Sequence, residues 1–161
     1  MSADDRPYRL CVGVMLLNAQ GCTFVGWRKG MRRSAWQMPQ GGINKGESPH
    51  NAALRELAEE TGVQAVDILG ESDDWHHYEL PRAISGKAWR GRYRGQKQKW
   101  FAMRFLGQDS DVNLETHHPE FEDWRWIEPE RLPELVVSFK RAVYEAVIEE
   151  FRPIIESLRT D

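Results

Sequence analysis

The stretch from Ser48 to Gly62, SPHNAALRELAEETG, constrains this chain most, because it reads as a helix with both ends marked. Ser48 is an N-cap whose hydroxyl can accept from the first unpaired amides, and Pro49 suits the first helical position, where no amide partner is lost. Gly62 can adopt the left-handed conformation that stops a helix. On a wheel of about 100° per residue, Leu54, Leu57, Ala58 and Thr61 share one arc. Glu56, Glu59 and Glu60 fall on nearly the opposite arc. The helix is expected to pack its apolar side while the three carboxylates project together.

Clustered acids oppose one another. Two carboxylates ~5 Å apart repel by about 3 kcal/mol at an effective dielectric of ~20. Helices usually relieve this with lysine or arginine one turn away, and here the helix offers only Arg55, off to one side. Helical geometry alone fits either a solvated acidic surface or a cation-binding face. On the second reading the all-oxygen donors suit Mg²⁺, with Mn²⁺ as a substitute, rather than zinc. No Ser-His-Asp or Cys-His arrangement competes, since His50, His76, His77, His117 and His118 have neither metal-ligand nor triad spacing.

The rest of the chain sets bounds. Its 161 residues fit a single domain, taken as 1–161, with an ordinary soluble composition of 40% hydrophobic and 29% charged residues. No apolar run approaches the ~20 residues of a membrane span. Met1 to Leu10 lacks a signal-peptide core, and Cys11 and Cys22 make no disulfide framework. The expectation is a cytoplasmic protein without a membrane partner. Net charge is −3, but from Arg82 to Arg104 there are bases and no acid, and Arg28, Lys29, Arg32 and Arg33 form a second basic group. This split suits a polyanion held near a metal, and it equally suits a solvated basic loop.

Strands are expected at Leu10 to Leu17, Thr23 to Trp27, Val66 to Gly70, Trp75 to Leu80, Lys99 to Leu106 and Trp124 to Ile127. Trp36 to Gly46 reads as a loop of fixed geometry, and Arg82 to Gly95 as a long mobile loop. Val136 to Phe151 has helical spacing, with Phe139, Val143, Val147 and Phe151 on one stripe. Strands with an early and a late helix predict an α/β fold, a mixed sheet between helices.

From Gly41 the sequence reads GGINKGESPHNAALRELAEETGV. Gly41, Glu47, Arg55-Glu56-Leu57, Glu59-Glu60, Gly62 and Val63 match the Nudix box, Gx5Ex7REUxEExGU, at every fixed position. The chain therefore resembles the Nudix hydrolases. The resemblance implies an α/β/α sandwich in which the box, 41–63, forms a loop-helix-loop. It further implies that Glu56, Glu59 and Glu60 hold the metal, that the Gly41 carbonyl adds a ligand, and that Glu47 pairs with Arg55 to brace the helix. Glu120, in HPEFEDWRW, is by position an extra ligand or a base that activates water; on sequence alone it is equally a loop acid. Metals at such a site neutralise a phosphoanhydride, acidify bound water and align an in-line attack.

Outside the box, YRLCVGVMLLN, AWQMPQGGIN, GQKQKWF, PEFEDWRW and VVSFKRAVY resemble bacterial RNA pyrophosphohydrolases, relatives of the dinucleoside polyphosphate hydrolases. This implies removal of pyrophosphate from a 5′-triphosphorylated RNA, leaving a 5′-monophosphate that promotes decay. Asymmetric cleavage of diadenosine tetraphosphate to ATP and AMP is the alternative, followed by a sanitising nucleoside triphosphatase. The alternative of another class is a non-catalytic nucleotide sensor, which would not need the full carboxylate set. Candidate phosphate or base contacts are Arg9, Arg28, Lys97, Lys99 and Lys140, with Tyr78 and the Gln96 to Lys99 run along the same cleft. Val137 and Phe139 are candidates for an apolar base platform, although the helical stripe gives Phe139 a core role just as well. Trp36 and Trp100 read as packing residues. Bacterial relatives admit a protein activator as a partner, and no motif marks a docking site for one. An interaction role for the C-terminal helix and its tail, Pro153 to Asp161, stays open.

Overall fold

Two long apolar strands make the spine. β1 (Tyr8–Leu17) and β7 (Gly95–Phe105) run parallel and pair along their whole length, from Tyr8 opposite Gly95 to Leu17 opposite Arg104, in a computed structural model that describes residues 5–116 and 119–160. The far edge of each spine strand is shared between two partners. β4 (Gln40–Gly42) pairs with β1 over Cys11 to Gly13, and β2 (Thr23–Arg28) joins it only at Leu17. β6 (His76–Glu79) and β5 (Val66–Glu71) divide the other edge of β7. β3 (Trp36–Gln37) and β8 (Phe121–Ile127) complete an eight-stranded mixed sheet through β2.

Strand alternation sends successive side chains to opposite layers. Val12, Val14, Leu16, Phe101 and Met103 meet α1 (Pro49–Thr61) through Ala52, Ala53 and Leu57. Met15, Leu17, Trp100 and Ala102 meet α4 (Arg141–Thr160) through Tyr144, Val147, Ile148 and Phe151. A fully buried side chain such as Leu57 contributes about 2 kcal/mol. The result is the expected mixed sheet between helices. α1 starts and stops as its sequence dictates: the Ser48 hydroxyl accepts from the Asn51 amide at 3.1 Å, and Gly62 at φ 74° donates to the Ala58 carbonyl. Among the described residues no helix is long and apolar enough to cross a membrane.

Three expectations are corrected. The Trp36 to Gly46 loop contains β3 and β4, strands of two and three residues, too short for alternation to register in the sequence. The basic segment expected to be a mobile loop folds into α2 (Arg82–Ser85) and a 3₁₀ turn at Ala88–Gly91, and β7 begins at Gly95 rather than Lys99. Trp89 and Arg90 in that turn lie at φ 48° and 60°, a left-handed geometry costing about 1–2 kcal/mol per residue. The late helix begins at Arg141, after the short α3 (Leu132–Leu135) and a 3₁₀ turn at Ser138–Lys140. Phe139 thus stands ahead of the helical stripe, while the supposed tail from Pro153 is helical through Thr160.

Candidate active site

The site begins where β1 and β7 begin. Arg9 is the register partner of Gln96, and Gln96 of Tyr78, so one row crosses three strands and faces the same cleft. Gly41 and Gly42 on β4 close one side, and Phe139 and Lys140 come from the 3₁₀ turn before α4. The cleft has a volume of about 410 Å³ and is open on one side to solvent. Glu56 and Glu60 enter it from α1, Arg28 from the end of β2, and Glu120 from just before β8.

Arg55 organises the acidic end. Its Nε and Nη2 clasp the two oxygens of Glu47 at 2.8 and 2.9 Å, and Nη2 also donates to the Gly42 carbonyl at 2.7 Å. Nη1 donates to Glu56 at 2.8 Å and to Glu59 at 3.1 Å. The expectation that Arg55 lies off to one side is therefore corrected: an i,i+1 and an i,i+4 contact let one guanidinium serve both glutamates. The projected arc divides accordingly. Glu59 is exposed and turned to Arg55, Glu56 is half-buried, and Glu60 is buried at 6% exposure. As they stand, no three carboxylates, histidines or cysteines among the described residues converge closely enough to hold an ion.

Glu60 nevertheless makes the case for a cation. Its carboxylate accepts from the Gln40 amide at 3.2 Å. Burial first, and then the charges of Glu56 and Glu120, push its pKa well above the usual carboxylate range. Burial also raises the pKa of Glu56, against the pull of Arg55. A buried carboxylate facing two other acids is stabilised by a hard cation, and oxygen is the donor such an ion prefers. Gly41 fits the same picture, because a Cβ there would stand 2.1 Å from the Glu56 carboxylate carbon. The chemistry of these oxygen donors fits a divalent metal.

The other end of the cleft is cationic and aromatic. Lys140 is buried at 4% exposure, and its ammonium donates to Gln37 Oε1 at 3.0 Å. Desolvation, with Arg28 nearby, pushes its pKa down to about 7. Phe139 packs on Tyr78 with centroids 5.6 Å apart, and burial pushes the Tyr78 phenol above its ordinary range. Gln98 ties Gln96 to Gln40 at 2.8 and 3.2 Å.

Of the residues expected to bind substrate, the fold thus brings Arg9, Arg28, Tyr78, Phe139 and Lys140 to the cleft. Lys97 and Lys99 lie elsewhere, because alternation along β7 sends them to the α1 face, away from Gln96 and Gln98. Lys99 donates to the Asp73 carbonyl at 3.2 Å and lies 3.8 Å from Glu71. Val137 packs against the core beside Phe139. His76 pairs with Glu150 at 2.9 Å, and His117 and His118 lie outside the described residues. The sequence reading missed Leu80, Ile84, Ala88 and Trp89, which line the cleft from a segment that reads only as a basic loop. The apolar spacing of Leu80, Ile84 and Ala88 every four residues is the one signal that could have found that wall.

The NUDIX domain family matches residues 7–147. The chain belongs to the Nudix family. A protein of Novosphingobium aromaticivorans named RNA pyrophosphohydrolase is 58% identical over 153 residues, covering 92% of this chain and 95% of that protein. One of the same name from Roseobacter denitrificans is 57% identical over 147 residues, covering 90% and 92%. Among solved structures, an E. coli dihydroneopterin triphosphate pyrophosphohydrolase superposes with a TM-score of 0.64 at 17% identity, over 88% of this chain and 97% of that one. A C. elegans Ap4A hydrolase gives 0.58 at 17%, over 85% and 94%. At such identity these structures attest the fold alone. The enzyme is a Nudix pyrophosphohydrolase, and Nudix hydrolases depend on a divalent cation.

Proposed function

We propose that this single-domain enzyme removes pyrophosphate from the 5′-triphosphate end of RNA, leaving a 5′-monophosphate that promotes decay, with Mg²⁺ as its cation and Mn²⁺ as a substitute. The observation that carries the reading is the continuity of one cleft. It joins the carboxylate end, at Glu56, Glu60 and Glu120, to a cationic and aromatic end at Arg9, Arg28, Lys140, Tyr78 and Phe139. That is the order of groups on a 5′ end: phosphoanhydride first, bases beyond. Relatives named RNA pyrophosphohydrolase at 58% and 57% identity support the same substrate. Such ends are made in the bacterial cytoplasm, and the reading puts the enzyme there.

In this reading Glu56, Glu59 and Glu60, with the Gly41 carbonyl, would hold the metal, with Glu59 released from its contact with Arg55. The bound metal supplies charge neutralisation and an acidified water. Arg55 clasps Glu47 and the Gly42 carbonyl, fixing the box loop against α1. Arg9, Arg28 and Lys140 take up phosphate charge, and Phe139 on Tyr78 offers a base an apolar face. Glu120, exposed and lining the same cleft as Glu60, would either add a ligand or accept the proton of the attacking water. The deciding experiment compares kcat/KM for equal concentrations of 5′-triphosphorylated RNA, diadenosine tetraphosphate and nucleoside triphosphates with Mg²⁺. RNA is expected to lead; a strong preference for the dinucleotide overturns the reading.

A further inference from the structure

The segment between β6 and β7 forms a wall of the cleft that phosphoanhydride chemistry by itself does not require. Leu80, Ile84, Ala88 and Trp89 all line the cleft from it. Both limbs are fastened. Arg6 donates to the Ser85 carbonyl at 3.0 Å, the Ser85 hydroxyl at 3.1 Å and the Gly91 carbonyl at 3.1 Å. The Leu80 amide donates to the Arg94 carbonyl at 2.9 Å. At the tip, Trp89 and Arg90 are held at positive φ. A bulky residue keeps such a conformation only where its surroundings over-determine it, and these outliers gather where a side chain is presented for use.

Trp89 is half-buried, and the Arg9 guanidinium lies over its ring at 5.1 Å, with Tyr93 edge-on at 6.0 Å. Arg9 also extends toward the acidic end. A Cβ on Gly42 would fall 2.4 Å from its guanidinium, and its charge acts on Glu56. Arg9 therefore spans the short distance between the box glycines and the indole. Its donors are barely engaged: among the described residues it donates only to the Cys11 sulfur, at 3.8 Å. A guanidinium stacked on an indole with idle N–H groups can leave the ring when an anion arrives at the carboxylates. The ring face it uncovers belongs to the same cleft as the carboxylates, open to a nucleoside joined to that anion.

Resting on the RNA reading above, we propose that Trp89 determines specificity: its indole stacks on the base of the 5′-terminal nucleotide, on the face that Arg9 covers, while Arg9 turns to the triphosphate. Arg6 is the positioning residue that fastens the wall. The test uses Trp89→Ala and Trp89→Phe with triphosphorylated RNA whose first nucleotide is either adenosine or abasic. Trp89→Ala is expected to raise KM on the adenosine substrate about tenfold with kcat within about twofold, and phenylalanine to restore most of it. The abasic substrate is expected to bind wild type and Trp89→Ala alike. An unchanged KM in Trp89→Ala overturns the assignment, and so does a rise of equal size on the abasic substrate, the mark of a purely structural role. Should wild type cleave diadenosine tetraphosphate and leave RNA untouched, the RNA reading alone fails. The same comparison on the dinucleotide then decides Trp89: a tenfold rise in KM upholds stacking, and no rise overturns it.

Discussion

Replacing Gly41 with alanine separates the stability of the box loop from its chemistry. The added Cβ would stand 2.1 Å from the Glu56 carboxylate carbon and Oε2, and 2.4 Å from Oε1. Ordinary van der Waals contact places the carboxylate farther away, so it has to retreat by roughly 1.5 Å. Gly41 is not among the glycines at positive φ, so alanine brings no backbone strain. The obstructed group is the end of a flexible side chain, and swinging it aside is cheap. Fold stability is expected to change by less than about 1 kcal/mol, or roughly 2–4 °C in Tm. Turnover answers to a stricter geometry: a displacement of only about 1 Å already costs on the order of 100-fold in rate. That corresponds to about 2.7 kcal/mol of barrier. The assay is kcat/KM on triphosphorylated RNA at saturating Mg²⁺, beside a thermal melt of the same preparation. Full turnover by a folded Gly41→Ala enzyme would show that the Glu56 position is immaterial, and the metal role of this end of the cleft would fall with it.

Arg55→Ala leaves Glu47, Glu56 and Glu59 without their shared cation; because Arg55 is a quarter exposed, the loss of stability is expected to be about 1–2 kcal/mol in urea at pH 7. Arg55 holds Glu47 at about 2, below the ordinary 4.5, so the Glu47 share of that stability is present above pH 4.5 and fades as pH falls toward 2; a gap that stays constant across this window would contradict the pairing. Lys140→Met removes a buried ammonium whose pKa is lowered to about 7 from 10.5, so the mutant is expected to melt higher than wild type at pH 6, with the gap closing toward pH 10 and KM for RNA raised. Glu60 shifts the other way: its raised pKa means that the metal-free protein loses stability as pH climbs past the ordinary carboxylate range, and Mg²⁺ restores it. Glu60→Gln is expected to abolish turnover and the Mg²⁺ response of the melt together, and an undiminished response would remove Glu60 as the anchor. Glu120→Gln is expected to fold normally and lose most activity, with unchanged kcat striking it from the site.

The parts of the fold legible in the sequence are those fixed by local rules. Ser48, Pro49 and Gly62 mark the ends of α1 because capping depends on residues within one turn, and the long strands of the spine carry clear apolar runs. What escaped depends on distant partners. β4 is a strand only because Cys11 to Gly13 offer it an edge. The Arg82 to Gly95 segment is held by partners far away in sequence, with Arg6 tying Ser85 to Gly91 and the Pro7 carbonyl accepting from the Arg94 amide. Lys97 and Lys99 sit in the same run as Gln96 and Gln98, yet the choice of face depends on which layer lies above each side, and composition does not carry that.

The most instructive case is Arg55. Judged by i,i+4 spacing alone, one arginine among three glutamates looks too little to settle an acidic helix. In the fold it serves Glu56, Glu59, Glu47 and a carbonyl at once, because a guanidinium has five donors in a fork and the box loop folds back to present Glu47 and Gly42 to it. Repulsion is thereby relieved at the helix's outer positions and left concentrated at Glu60, which is buried and faces Glu56 and Glu120. Demand for a cation is thus focused on one carboxylate at the floor of the cleft rather than spread along a face. Arg55 also braces the loop through Glu47, whose hold on it does not involve Glu59. In the proposed site, Glu59 would then exchange its 3.1 Å contact with Arg55 for the metal while the loop stays fastened.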